Sequence, residues 1–134
     1  MEKLPAPDLP DWIAKEVPFT RYRLAVGDGL QMHVMETGRG RPVLMVQGNP
    51  TWGFLYRKVA MCLQGQGLRL IMPDLIGFGF SDKPRDFSAH SIRIHSKWLG
   101  SLIDQLDLHE VTLVCQDWGG AIGVHPFTTR PERL

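Results

Sequence analysis

The chain has 134 residues, room for one domain and not for two. Hydrophobic residues make up 43% and charged residues 22%, the balance of an ordinary soluble globular protein. Fifteen Lys+Arg against fourteen Asp+Glu leave a formal charge of +1, which gives neither nucleic acid nor an anionic membrane an electrostatic hold, so neither is expected as a partner.

The first residues, through Trp12, are rich in proline and carry several acids, with no apolar core to read as a signal peptide. Residues 1–19 are expected to be an extended arm on the surface of a core domain spanning 20–134, with Trp12 and Phe19 as its anchors. No stretch reaches the ~20 apolar residues of a membrane span. Two β-like stretches follow, Tyr22–Val26 and Leu30–Glu36, joined by Gly27-Asp28-Gly29, short enough for a hairpin. The second alternates in part, as a half-buried strand does. Val43–Val46 is a short apolar run of the kind covered on both faces of a parallel sheet, and the Gly-Asn-Pro turn Gly48–Pro50 comes directly after it. Phe54–Gln64 has helical spacing, with Leu55, Val59 and Cys62/Leu63 on one face, and Gly65 and Gly67 end it. Leu68–Met72 is the next strand. After a loop rich in Gly, Asp and Pro, Ser88 is the expected cap of a long helix with Ile92, Trp98/Leu99, Leu102/Ile103 and Leu106 inward. Val111–Cys115 is another buried strand, and Trp118–Thr128 another helix.

This alternation implies an α/β fold, a mostly parallel sheet with helices on both faces. Ligands bind such sheets at the loops following the carboxyl ends of the strands. Gln47–Trp52 and Gln116–Gly120 are both loops of that kind. Cys62 and Cys115 lie far apart and match no metal or redox spacing. They read as reduced core thiols of a cytoplasmic protein, with a disulfide as the alternative.

Cys115-Gln116-Asp117-Trp118-Gly119-Gly120 joins an apolar strand directly to a helix. Its form, small-x-nucleophile-x-small, is the nucleophile-elbow pattern with Asp in the central place. Asp117 has two readings at this point, cap of the following helix or nucleophile. An aspartate side chain, ionising at about pH 3.9 in peptides, is already charged at neutral pH and attacks without a base. A carboxylate suits displacement at a carbon bearing a leaving group. The product is an ester that water, helped by a base, must then cleave.

Asn49 lies in the rigid turn Gly48–Pro50, and two jobs are open to it. Its backbone N–H, with that of Trp118, can form an oxyanion hole for the ester. Its side-chain amide, with the Trp118 indole N–H, can donate to a departing halide. Against both stand the plainer readings of Asn49 as a turn residue and Trp118 as a core aromatic.

Gly48-Asn49-Pro50-Thr51-Trp52 with Phe54-Leu55-Tyr56-Arg57, Pro73-Asp74-Leu75-Ile76-Gly77-Phe78-Gly79 with Ser81-Asp82-Lys83-Pro84, and Gln116-Asp117-Trp118-Gly119-Gly120 together resemble the haloalkane dehalogenases, a family of the α/β-hydrolase superfamily. The matched blocks run from about residue 20 to 134. Epoxide hydrolases share the Asp-Trp-Gly-Gly block, and the Asn-Pro-Thr-Trp and Phe-Leu-Tyr-Arg blocks favour the dehalogenases. The resemblance implies Asp117 as nucleophile and Asn49 and Trp118 as the halide-stabilising pair. It implies a small halogenated alkane and water as substrates, and no metal or organic cofactor.

Two departures stand out. Gln47 occupies the place where the family usually has His, and it keeps a donor and an acceptor with which to support the loop. None of the five histidines, His33, His90, His95, His109 and His125, is placed to be the base; His125 falls ~12 Å down the helix from Asp117. The sequence is expected to be the N-terminal part of such a fold, with the cap domain and last strands absent. Two alternatives are an epoxide hydrolase-like enzyme and an inactive relic.

Overall fold

The computed structural model describes all 134 residues, the side chain of Phe87 excepted. Six strands form one open sheet: β1 (Leu4–Pro5), β2 (Thr20–Gly27), β3 (Leu30–Thr37), β4 (Arg41–Val46), β5 (Leu68–Pro73) and β6 (Thr112–Cys115). Their spatial order is β1-β2-β3-β5-β4-β6. β4 pairs in parallel with both β5 and β6, whereas the β1–β2, β2–β3 and β3–β5 pairs are antiparallel. The expected mostly parallel sheet is therefore mixed over these residues. Parallel pairing is confined to β4 with β5 and β6, strands joined through helices, and of the antiparallel pairs only β2–β3 is joined by a hairpin.

Helices cover both faces, as expected. On one, α3 (Ile92–Gln105) and α4 (Gly119–Val124) pack Trp98, Leu99, Leu102, Ile103 and Ile122 against Leu24, Met32, Leu44, Val46 and Ile71. On the other, α1 (Asp11–Ala14) and α2 (Arg57–Leu63) bring Ile13 and Ala60 to Met35, Val43, Met45, Leu70 and Met72. Each such apolar side chain taken fully out of water contributes roughly 1.5–3 kcal/mol before the entropy of ordering is subtracted. β3 is buried throughout Met32–Met35, not half-buried, because the loop after β5 lies over the His33 side.

Four local expectations are corrected. The N-terminal segment is held by Ile13 and Val17, while Trp12 is 67% exposed and anchors nothing; Phe19 does pack on the core. α2 turns a different face inward: Tyr56 and Ala60 are buried, whereas Leu55 and Val59 are 40% and 46% exposed and Cys62 lies at the surface. The cause is that Gly53–Tyr56 is a 3-10 turn, with three residues per turn rather than 3.6, which shifts the phase by about one residue. Ser91, not Ser88, caps α3, its hydroxyl accepting from the Ile94 N–H at 3.1 Å. Finally, α4 stops at Val124, and His125–Thr128 forms a 3-10 turn, because Pro126 has no N–H to give the Ile122 carbonyl. The Ser96 hydroxyl donates to that carbonyl instead, at 3.3 Å. No helix among the described residues is long and apolar enough to cross a membrane.

Candidate active site

β4 and β6 run side by side in parallel, so the loops leaving their carboxyl ends are neighbours. Val46 and Cys115 are register partners, and the chain turns after each: into Gln47–Trp52 from β4, into Gln116–Trp118 from β6. Asp117 occupies the second turn at φ 57°, in the left-handed region that costs a residue with a side chain. It makes no capping hydrogen bond to α4, whose N-cap position is Trp118. Its Oδ2 accepts instead from the backbone N–H of Asn49, at 3.2 Å. The capping reading thus has no contact behind it, and Asp117 and Asn49 are brought together.

Close approach holds this arrangement. A Cβ on Gly48 would stand 2.4 Å from the Asp117 Cβ, and one on Gly119 would stand 2.4 Å from the Val46 carbonyl oxygen. A Cβ on Gly123 would be 3.0 Å from the Cys115 Sγ, whereas one on Gly120 would meet nothing within 4 Å. Within the Gly119-Gly120 pair, then, only the first glycine is required by space. Gln116 adds a second tie between the loops, its Oε1 accepting from the Gly48 N–H at 3.3 Å. Asn49 and Asp117 are exposed, and Trp118, 56% exposed, lies open on the same edge of the sheet rather than in the core.

Beneath the Asn49 loop lies a polar framework with little local signature in the sequence. Gln47 is fully buried. In the amide orientation that satisfies both its ends, it donates to the Pro73 carbonyl at 2.8 Å and accepts from the Leu75 N–H at 2.7 Å, tying the end of β4 to the end of β5. The support expected of Gln47 is thus directed at the neighbouring strand end. Asp74, also fully buried, accepts from the Gly53 N–H at 2.7 Å and the Phe80 N–H at 2.9 Å, and its Oδ2 pairs with His33 Nδ1 at 2.8 Å. The Ser81 hydroxyl donates to the Asp74 carbonyl and accepts from the His33 N–H.

A cavity of about 470 Å³ opens beside the two loops, lined by Asn49, Trp118 and Ile122 and by Leu75, Phe78, His90 and His95 from the other side. Among the described residues no histidine hydrogen-bonds Asp117. His33 serves Asp74, His109 sits on Asp107, and His90 Nδ1 meets His95 Nε2 at 2.9 Å. Burial first, and the neighbouring His90 second, push the His95 pKa down from 6.5 to about 4. Between those values the unfolded chain binds a proton that the folded chain refuses. The stability tied to His95 is therefore fully present above pH 6.5 and falls as the pH drops toward 4, by ~3 kcal/mol across the window. Urea denaturation at pH 7 and pH 4.5 is expected to show a smaller acid loss in His95→Gln than in the parent. Equal losses in both would refute this origin of the acid sensitivity.

Comparison with known proteins bears on the fold and the family. The family model described as alpha/beta hydrolase fold matches residues 41–134. A haloalkane dehalogenase of Psychrobacter cryohalolentis is 41% identical over 133 residues, covering 95% of this chain and 42% of that protein. Among solved structures, a tetrameric haloalkane dehalogenase from Paraglaciecola agarilytica aligns with a TM-score of 0.83 at 33% identity, over 99% of this chain and 46% of its own. An epoxide hydrolase from Vigna radiata aligns with a TM-score of 0.79 at 32% identity, over 87% of this chain and 37% of its own. The chain spans less than half the length of these relatives.

Proposed function

The chain belongs to the alpha/beta hydrolase family, and within it we propose a hydrolase of carbon–halogen bonds in which Asp117 is the nucleophile of a nucleophile elbow. The observation that carries the reading is the Asn49 N–H on Asp117 Oδ2, with Asp117 exposed at φ 57° above the ends of β4 and β6. That hydrogen bond leaves Oδ1 free to attack. An Oδ1 lone pair forms the bond to carbon as the carbon–halogen bond breaks, and the halide departs with the bonding pair. Oδ2 becomes the carbonyl oxygen of the ester, already facing an N–H donor that can hold the oxyanion when water adds. The Trp118 indole N–H and the Asn49 amide are the donors assigned to the halide, a role supported by their shared place on the cavity wall.

Water attack on the ester requires a base, and the histidines among the described residues are engaged elsewhere or far off. The step assigned to these residues is alkylation. Epoxide opening is the second reading, favoured by the Vigna radiata structure. It needs an acid to protonate the epoxide oxygen. The two tyrosines are committed: the Tyr22 hydroxyl donates to Glu36 and the Tyr56 hydroxyl to the Val46 carbonyl, where burial pushes the Tyr56 pKa up to about 12. Halide displacement is the first reading because the Asn49-Pro50-Thr51-Trp52 and Phe54-Leu55-Tyr56-Arg57 blocks favour it. The free thiols Cys62 and Cys115 support a reducing, cytoplasmic setting.

The test is covalent trapping with 1-bromohexane, followed by intact mass, in a Cys62→Ser background that removes the exposed thiol. Burial pushes the Cys115 thiol up, which keeps it protonated and slow. One hexyl group per chain is expected, with a rate more than about a thousandfold lower in Asp117→Asn. Equal alkylation of the folded parent and Asp117→Asn would overturn the assignment.

A further inference from the structure

The cavity beside Asn49 and Trp118 is not uniformly apolar. Leu75, Phe78, Ile92 and Ile122 supply greasy walls, and two imidazoles interrupt them. The rings of His90 and His95 stack with centroids 5.1 Å apart, besides sharing the Nδ1–Nε2 hydrogen bond. Gly77, at φ 96°, makes the room: a Cβ there would stand 3.0 Å from His90 Cε1.

A hydrogen bond between two neutral imidazoles has two arrangements, decided by the surroundings of the remaining nitrogens. If His90 Nδ1–H donates, His95 carries its proton on Nδ1, which is buried without any partner. If His95 Nε2–H donates, the buried Nδ1 is a bare lone pair and His90 carries its proton on Nε2. Buried N–H groups without an acceptor are the rarer defect in folded proteins, which selects the second arrangement. His90 Nε2 has no protein partner among the described residues and is not among the buried orphaned atoms. The low His95 pKa fits a ring that stays neutral.

We propose that His90 is a specificity-determining residue whose Nε2–H donates to an oxygen acceptor on the substrate, so that the site favours haloalkanes bearing a hydroxyl or ether oxygen away from the halogen. The proposal rests on Asp117 as the alkylated group and names the class of molecule it meets. Lys83 also borders the cavity, but its ammonium is already donated to the carbonyls of Gly79 and Ser81.

The test compares alkylation of Asp117 by 6-bromohexan-1-ol and by 1-bromohexane in the Cys62→Ser protein, each rate divided by that with acetate in the same buffer. The alcohol-to-alkane ratio is then compared between the parent and His90→Phe. The ratio is expected to be about two- to tenfold larger in the parent, the worth of one net hydrogen bond, and intermediate in His90→Gln, which keeps an N–H donor. A ratio identical in the parent and both variants would overturn the role of His90 while leaving Asp117 as nucleophile. Absence of adduct with either reagent on folded parent protein would instead remove the Asp117 reading, and this inference with it.

Discussion

Gly119→Ala is expected to destabilise the protein by about 3 kcal/mol or more, at the upper end of what overpacking costs. Its neighbour Gly120→Ala is expected to be neutral or to gain up to ~1 kcal/mol from better helix propensity. The two glycines are adjacent in sequence and differ only in what faces them. A methyl at 119 meets the carbonyl oxygens of Val46 and Gln47 at 2.4 and 2.5 Å, and both belong to backbone that cannot swing aside. Relief requires α4 to move away from β4, which would carry Asp117 off the Asn49 N–H. Against a typical total stability of roughly 5–15 kcal/mol, that loss is large. Urea midpoints of the two variants check it, and equal midpoints would show that the contact between turn and strand is not tight.

Asp74→Ala has the second large effect, a loss of about 3–5 kcal/mol. The substitution strands the buried His33 Nδ1 and Gly53 N–H and takes the acceptor from the half-buried Phe80 N–H. Each buried donor left without an acceptor costs about 1–3 kcal/mol. Gly53 sits four residues after Asn49, so the variant is also expected to slow alkylation of Asp117 by loosening the loop. Denaturation together with the alkylation rate, measured well below the melting temperature, separates these effects. A stable variant with the parental rate would contradict the framework described for Asp74.

The parts of this fold written in short range are legible in the sequence. β4 and β5 are short, largely apolar runs that are buried as expected, and the inward positions of α3 follow from 3.6-residue spacing. β6, expected to be buried, is exposed at Thr112 and half-buried from Leu113 to Cys115, because it is an edge strand paired with β4 alone. The small-x-Asp-x-small pattern implies a tight turn at Asp117, and the chain does turn there, at φ 57°. Misreadings arose where one local rule displaced another. The 3-10 turn at Gly53–Tyr56 rotated α2, and Ser91 took the cap because the chain reaches extended geometry there rather than at Ser88. Contacts between distant segments left no local signal. His33 and Asp74 are 41 residues apart in sequence, and Gln116 reaches Gly48 across 68. The placement of His90 and His95 on the cavity wall was equally hidden, since it depends on how the loop after β5 folds back over α3.

Asp117, and no other nucleophile in the chain, is expected to take the alkyl group. The most direct measurement is to digest the chain after brief exposure of the unaltered protein to 1-bromohexane and locate the added hexyl group by fragment-ion mass. The expected product is an ester on Asp117, cleaved by hydroxylamine, formed ahead of any modification of Cys62. A stable thioether on Cys62 or Cys115, with Asp117 unmodified, would contradict it.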